Sequence, residues 1–449
     1  MSEDRTLLLE REKPGKLLLK YAFPAIIAMI ASSLYNIADS IFIGQKLGAL
    51  AISGLALTFP LMNLSAAFGS LVGVGGATMI SIRLGEKDFD SARMVLGNVV
   101  ILNIIIGLIL TLVTLPFLTE VLYLFGGSSQ TVGFARDFML IILSGNVLTC
   151  LYLGLNALLR ASGYPKLAMF VTIFSVILNI ILLALFVFVF NWGIAGAAWA
   201  TIISQFVALA WLILIFCRTN KIIHFSKDIF RLKRKIVLDI FSIGLSPFLM
   251  NLAATLVVIL INFSLQKYGG DLAIGAYGII NRVGFMFVMV VLGITQGMQP
   301  IVGYNYGAKL YPRVLEVLKK GIVLGVITMT IAFVLVELFP FAISRAFTKD
   351  ETLIDIASKG FSIVFILFPI IGFQIVSSNF FQSIGKAKKA IFLSLTRQVI
   401  VLIPLLIILP QFWGVKGVWL TMPASDLVAT IITAVLISKE VKELKSKSV

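Results

Sequence analysis

Charge is scarce in this chain of 449 residues: 13% are Asp, Glu, Lys or Arg, while 59% are hydrophobic. A soluble domain carries about 25% charged residues. Too little polar surface exists to cover a water-soluble body of this size, so the two or three soluble domains that length alone suggests are excluded. Cysteine and histidine are almost missing. Cys150 and Cys217 fall within or at the end of apolar runs, where they offer neither a disulfide framework nor metal-ligand spacing and read as small buried residues. The one histidine, His224, lies in a basic segment. Without a second, zinc hydrolysis and Ser-His-Asp catalysis have nothing to stand on, and neither an enzyme nor a cofactor is expected. A net charge of +16 invites a nucleic-acid reading, but no polar face with interleaved aromatics is available to carry it, so no nucleic-acid partner is expected. The composition is that of an integral membrane protein.

A bilayer core takes about 20 apolar residues per helix. Twelve runs qualify: 21–43, 51–82, 94–118, 138–159, 167–190, 193–217, 240–265, 272–303, 321–344, 360–384, 390–412 and 414–438. The second and eighth exceed a bilayer, which predicts tilt or projection into the cytoplasm. The first run is too long for a signal-peptide core and follows residues of both charge signs, so the first helix is expected to be retained. With the N-terminus inside, 28 of the 37 Lys and Arg fall in cytoplasmic segments and 7 outside. That bias predicts a multi-pass protein of the plasma (inner) membrane with both termini cytoplasmic.

The two halves share a frame offset by 222 residues. Leu50-Ala51-Ile52 returns as Leu272-Ala273-Ile274, Gly85 and Lys87 as Gly307 and Lys309, Gly163 and Lys166 as Gly385 and Lys388. After a one-residue gap, Trp192-Gly193 and Gly196 return as Trp413-Gly414 and Gly417. The expected fold class is therefore all-α and integral to the membrane, with twelve transmembrane helices in two six-helix lobes. Six is even, so the lobes insert the same way up, related by a pseudo-two-fold along the membrane normal. The organisation predicted is a cytoplasmic segment 1–20, an N-lobe 21–217, a linker 218–239, a C-lobe 240–438 and a cytoplasmic tail 439–449. Within the linker, Ile222, Phe225, Ile229, Leu232 and Ile236 alternate with Lys227, Arg231, Lys233, Arg234 and Lys235. This fits equally an amphipathic helix on anionic membrane lipids and a solvated basic loop.

Ionisable groups inside hydrocarbon are expensive and mark function. Asp39 lies deep in the first run with Tyr35 one turn away and Asn36 three residues away on the same face. A carboxylate so placed binds either a proton or Na⁺. Asn156, Asn179 and Thr201, on the fourth, fifth and sixth runs, are hard oxygen donors of the kind an alkali cation takes. Asp39, Asn179 and Thr201 are the candidate Na⁺ ligands; the alternative is interhelical hydrogen bonding. The offset carries Asp39 to Ile261 and Asn179 to Val401, so this set belongs to the first lobe only. The second lobe holds Asn281, Arg282, Gln296 and Gln299, which with Met286 and Met289 are candidates for a pliable substrate cavity. Arg397 and Asp426, on neighbouring runs, are expected to form a structural or gating ion pair. Pro24 shares a helix with Asp39, so protonation is expected to couple to bending there.

Four stretches give the chain a resemblance to the multidrug and toxic compound extrusion (MATE) family: Ser33 to Gly44, Leu159 to Gly163, Leu178-Asn179-Ile180-Ile181-Leu182, and Gln296 to Lys309. The resemblance covers nearly the whole length. It implies H⁺- or Na⁺-driven antiport of amphipathic, often cationic small molecules by alternating access; separately, the chain is expected to act as a monomer. It also implies that Tyr35, Asp39, Asn156, Asn179 and Thr201 form the cation site. The family pattern usually places an aspartate four residues after the Asn, and here that position is Leu183, which leaves one negative charge where two are usual. A lipid-linked saccharide flippase of the same superfamily architecture is the alternative, but Arg282 and Arg397 alone do not make a basic cavity. A major-facilitator transporter is disfavoured by Arg83-Leu84-Gly85-Glu86 between the second and third runs, a membrane enzyme by the dearth of catalytic groups, and a channel by the lack of a filter sequence.

Overall fold

The computed structural model describes residues 8–218 and 222–448, without the side chains of residues 36, 37, 49 and 227. Every regular element among them is helical. Eight helices are long and apolar enough to cross a bilayer singly, and two further pairs, bent by 57° and 54°, cross as broken spans. Two of the eight contain a residue with non-helical backbone, Gly270 (φ 65°) in Arg234–Gly307 and Gly414 (φ 53°) in Ile403–Ser446. Divided there, the described residues make twelve spans.

The first helix, Pro14–Leu47, starts before the apolar run because Leu17 and Leu18 are buried. The last continues to Ser446, held by the buried Glu440 and Leu444. The two ends are thus partly helical where apolar length alone suggested only flanking segments. The second span, Ala49–Gly85, has the expected excess length.

The repeat is written into the turns. Positive φ recurs in pairs at the sequence offset: Gly48 (82°) with Gly270 (65°), Lys87 (61°) with Lys309 (59°), and Gly163 (93°) with Gly385 (72°). After the gap, Gly193 (59°) pairs with Gly414 (53°). A left-handed backbone favours glycine, so several repeated residues are those at which one helix hands over to the next. The bends repeat as well, at Gly145 between Val132–Ser144 and Asn146–Ala161, and at Ile366 and Leu367 between Glu351–Phe365 and Phe368–Ser383.

The compact units do not divide where the chain does. One contains residues 27–248, the other residues 12–26 together with 249–449. The first half of the first span therefore packs in the second unit, where Ala22 and Ile26 meet Gly297 and Gly293 so closely that a methyl on either glycine would strike backbone. In the first unit, Gly244 and Ile240 of the seventh span meet Leu71 and Gly75 in the same way. Small residues let backbones approach in the absence of a hydrophobic drive between helices. Both changes of unit follow a proline, Pro24 before Ile26 and Pro247 before Phe248, where the missing N–H weakens the helical ladder.

The linker is not one amphipathic helix. Its described residues hold a single short turn, Lys227–Ile229, before helix resumes at Arg234. The reason lies in the third span, Phe89–Thr114. The Asn98 amide donates to the Arg231 carbonyl (3.1 Å) and accepts from the Lys233 N–H (3.1 Å), and Arg93 Nε donates to the Ile222 carbonyl (2.9 Å). Ile223 and Ile229 are buried, while Phe230 and Leu232 are exposed. The strap satisfies its backbone on a neighbouring helix rather than within itself.

Candidate functional site

In the first unit, a cavity of about 340 Å³ opens among five spans. Ser32 and Tyr35 come from the first, Ser65 from the second, and Thr149 and Tyr152 from the fourth. The fifth, Pro165–Ala184, contributes Thr172, Ser175 and Asn179, and the sixth, Gly193–Phe216, contributes Thr201, Ser204 and Gln205. Each set recurs at three- or four-residue spacing, which lines polar groups along one helix face inside otherwise apolar helices.

Three of the expected site residues bond directly. Tyr35 Oη and Thr201 Oγ1 are 3.1 Å apart, and Asn179 Nδ2 donates to Thr201 Oγ1 at 3.3 Å. Thr201 also reaches the Ala197 carbonyl of its own helix at 3.1 Å. The Tyr35 hydroxyl lies against the Asp39 carboxyl group one turn on. A chain of contacts thus runs Asp39–Tyr35–Thr201–Asn179 across three helices. Tyr35 and Thr201 have one hydroxyl hydrogen each, so a Tyr35 that donates to Asp39 can only accept from Thr201, which then gives up the Ala197 carbonyl. An ionised Asp39, which can only accept, favours that arrangement; in the other, Tyr35 donates to Thr201 and Thr201 to Ala197.

Two oxygens of this chain are left over. Asp39 Oδ1 and Asn179 Oδ1 are buried with no hydrogen-bond partner among the described residues. Asp39 is 8% exposed and Asn179 2%. Buried polar atoms are nearly always paired, and two acceptors without donors, one of them a carboxylate, suit a proton or a hard monovalent cation.

Asn156 is placed elsewhere. Its Oδ1 accepts from Arg160 Nη1 at 2.6 Å, and its Nδ2 donates to the Ala168 carbonyl (3.1 Å) and Thr172 Oγ1 (3.3 Å). Its amide is fully engaged, which argues for positioning the fourth span against the fifth. The Asn36 side chain lies outside the described residues. Leu183 is fully buried in the apolar cluster that includes Ile43, Ile142 and Phe186, so the site has no second carboxylate from that position.

In the second unit, Arg397 Nε donates to Asp426 Oδ1 at 2.6 Å, with Asp426 2% exposed. Arg397 sits in a π-helical turn, Thr396–Leu402. The candidate cavity residues of that unit are spread out: Asn281, Arg282 and Met286 are exposed, while Met289, Gln296 and Gln299 are half-buried. None of them lines the cavity of the first unit. Pro24 lies inside an uninterrupted helix. Ser32, Ser65, Thr149, Tyr152, Ser175, Ser204 and Gln205 escaped the sequence reading, although their helical spacing was there to be seen.

A family signature described as MatE matches residues 24–185 and again 247–408, so both halves of the internal repeat carry it. The Multidrug export protein MepA of Staphylococcus saprophyticus is 27% identical over 430 residues, covering 96% of this chain and 95% of that one. A solved structure of a multidrug resistance MATE family transporter of the MOP superfamily, in an outward-facing conformation, superposes with a TM-score of 0.92 at 23% identity, covering 98% of each chain. A MOP superfamily transporter from Pyrococcus furiosus, described as having a binding pocket of reverse polarity that suggests a different function, superposes with a TM-score of 0.92 at 22% identity over 98% of each chain. At these identities the two structures speak for the fold.

Proposed function

This chain belongs to the MatE family and is a multi-pass membrane transporter, and on that premise we propose that it exports amphipathic, often cationic small molecules in exchange for H⁺ or Na⁺. One observation carries the coupling: the buried Asp39 Oδ1 and Asn179 Oδ1, both without a hydrogen-bond partner among the described residues, on a network that ends at a polar cavity. The export reading draws on the curated relatives, named as multidrug export proteins.

In this reading Asp39 alternates between a bare carboxylate and a form neutralised by a proton or cation. The bare form costs several kcal/mol in a low-dielectric interior. Taking up a proton removes that cost and lets the hydrogen bonds of Tyr35 and Thr201 reverse, on the first and sixth spans, while Na⁺ removes it by direct coordination. Pro24 lies where the first span leaves one unit for the other, so bending there passes the change on. Both termini are assigned to the cytoplasm by the basic bias, and the protein is read as a monomer in the plasma membrane.

The test is dye efflux from liposomes holding the purified protein, driven separately by a Na⁺ gradient and a pH gradient. Flux under one gradient, lost in Asp39→Asn, is the expected result. No flux under either, with scrambling of a lipid-linked sugar, would transfer the assignment to a flippase.

A further inference from the structure

The repeat allows the first unit's cavity to be looked for in the second. Gln205, which accepts a 2.5 Å hydrogen bond from Thr149 Oγ1 at the cavity wall, corresponds to Asp426 after the one-residue gap. Arg397 corresponds to Ser175 or Val176, depending on where the gap falls, and both line the cavity. Tyr152 of the lining corresponds to Gln374. Where one unit keeps a polar hollow, the other has a carboxylate and a guanidinium bonded to each other at 2.6 Å.

This pair has a cation site's composition. Asp426 is 2% exposed and supplies a full negative charge. Gln398 Oε1, next in sequence to Arg397, and Thr430 Oγ1, one turn beyond Asp426, are buried oxygens with no hydrogen-bond partner among the described residues. Tyr277, also buried, lies within electrostatic range of Arg397. Along these two helices, then, a carboxylate, an amide oxygen and a hydroxyl stand within a turn of the pair in sequence, the same kinds of donor as Asp39, Asn179 and Thr201. The difference is that the cation here is covalently part of the chain.

We propose that the Arg397 guanidinium is a tethered cation filling a second carboxylate site, so that Asp426 exchanges no ion and Asp39 alone is left to couple. The last clause rests on the coupling role of Asp39; the first does not. The physical reason is that a buried carboxylate left bare is strongly unfavourable and takes whichever counter-charge is at hand. A guanidinium on the neighbouring helix is always at hand and never loses its proton. Removing it leaves Asp426 to recruit a cation from solution.

The test reads stability rather than transport. Detergent-purified Asp39→Asn protein is compared with Asp39→Asn/Arg397→Ala and with Asp39→Asn/Arg397→Ala/Asp426→Asn. Choline chloride is replaced stepwise by NaCl, KCl or methylguanidinium chloride at constant ionic strength. Loss of Arg397 is expected to bring a saturable rise in unfolding temperature of about 2 °C or more with one of these cations. That rise should be absent from the parent and abolished by Asp426→Asn. No rise, or an equal rise in the triple variant, overturns the proposal. Should the Arg397→Ala protein not fold, Asp39→Asn/Asp426→Asn carries the test. It leaves a bare guanidinium and is expected to gain saturable stabilisation by chloride over gluconate, lost again with Arg397→Gln, and its absence overturns the proposal too. Efflux by Asp39→Asn would remove the coupling reading and leave this result untouched.

Discussion

Asn179 donates its amide hydrogen to Thr201 Oγ1 at 3.3 Å while its own Oδ1, buried, has no hydrogen-bond partner among the described residues. One side chain is thus half anchored and half available. The anchored half fixes the direction of the free oxygen, and the anchor is a hydroxyl that Tyr35 also touches.

Thr201→Val keeps the shape of the side chain and removes that anchor. It leaves the Asn179 amide and the Tyr35 hydroxyl short of a partner, at about 1–3 kcal/mol for a buried group. Thermal unfolding should move down accordingly, and ion-driven efflux should fall at least about tenfold, each 1.4 kcal/mol of misplacement being one decade. Thr201→Ser should recover most of both. Wild-type efflux in Thr201→Val would dissociate the network from coupling.

Asp39→Asn is nearly isosteric and cannot change charge. It is expected to abolish efflux under both gradients while the protein inserts normally and keeps or gains stability, because a buried charge has been removed. Size-exclusion profiles and unfolding temperatures separate this outcome from misfolding.

Asn98→Ala cuts two of the three hydrogen bonds described between the third span and the backbone of the linker, leaving that of Arg93 to Ile222. A cost of about 1–3 kcal/mol, confined to the strap, should appear as faster tryptic cleavage at Arg231, Lys233 and Arg234, with little change in global unfolding. Equal cleavage rates would show that the apolar contacts of Ile223 and Ile229 suffice.

Near the end of the last helix, the buried Glu440 bonds to both Lys386 and Lys389, and Glu443 also binds Lys386. Burial by itself would lower the Lys386 pKa, but the bonds to the two glutamates prevail and hold it above the usual 10.5. A raised lysine value means stability fully present below the unfolded pKa and lost as pH rises through the folded one. Unfolding temperature should therefore drop on the alkaline side, above about pH 10.5. In Glu440→Gln that drop should shrink, on a protein destabilised at neutral pH by about 1–3 kcal/mol.

Much of the fold was legible because a bilayer imposes lengths and charge placement that survive in composition. Twelve runs, the basic bias and the repeated Gly163/Gly385 and Lys87/Lys309 pairs are local facts. Asp39 was legible for the same reason, as a charge where hydrocarbon tolerates few. The engagement of Asn156 with the fifth span was not, because the Ala168 carbonyl and Thr172 hydroxyl to which it donates come within reach only once the helices pack. Nor was the strap visible: Ile222, Phe225 and Ile229 keep helical spacing, and Arg93 and Asn98, more than a hundred residues earlier in the chain, draw the backbone away from its own hydrogen bonds.

The amino-acid sequence by itself determined that this is a membrane protein of two homologous halves with a carboxylate in its first span, since apolar length, repeat offset and an out-of-place charge need no partner to be recognised. Tertiary structure decided that the first and seventh spans each enter their own half only beyond a proline, and that Asn179 and Thr201 share a network with Tyr35 while Asn156 does not; it also joined Arg397 to Asp426 as their places on neighbouring runs suggested. These are contacts between helices far apart in the chain. Their energies come from close backbone approach and from hydrogen bonds sheltered from water, which exist only after packing.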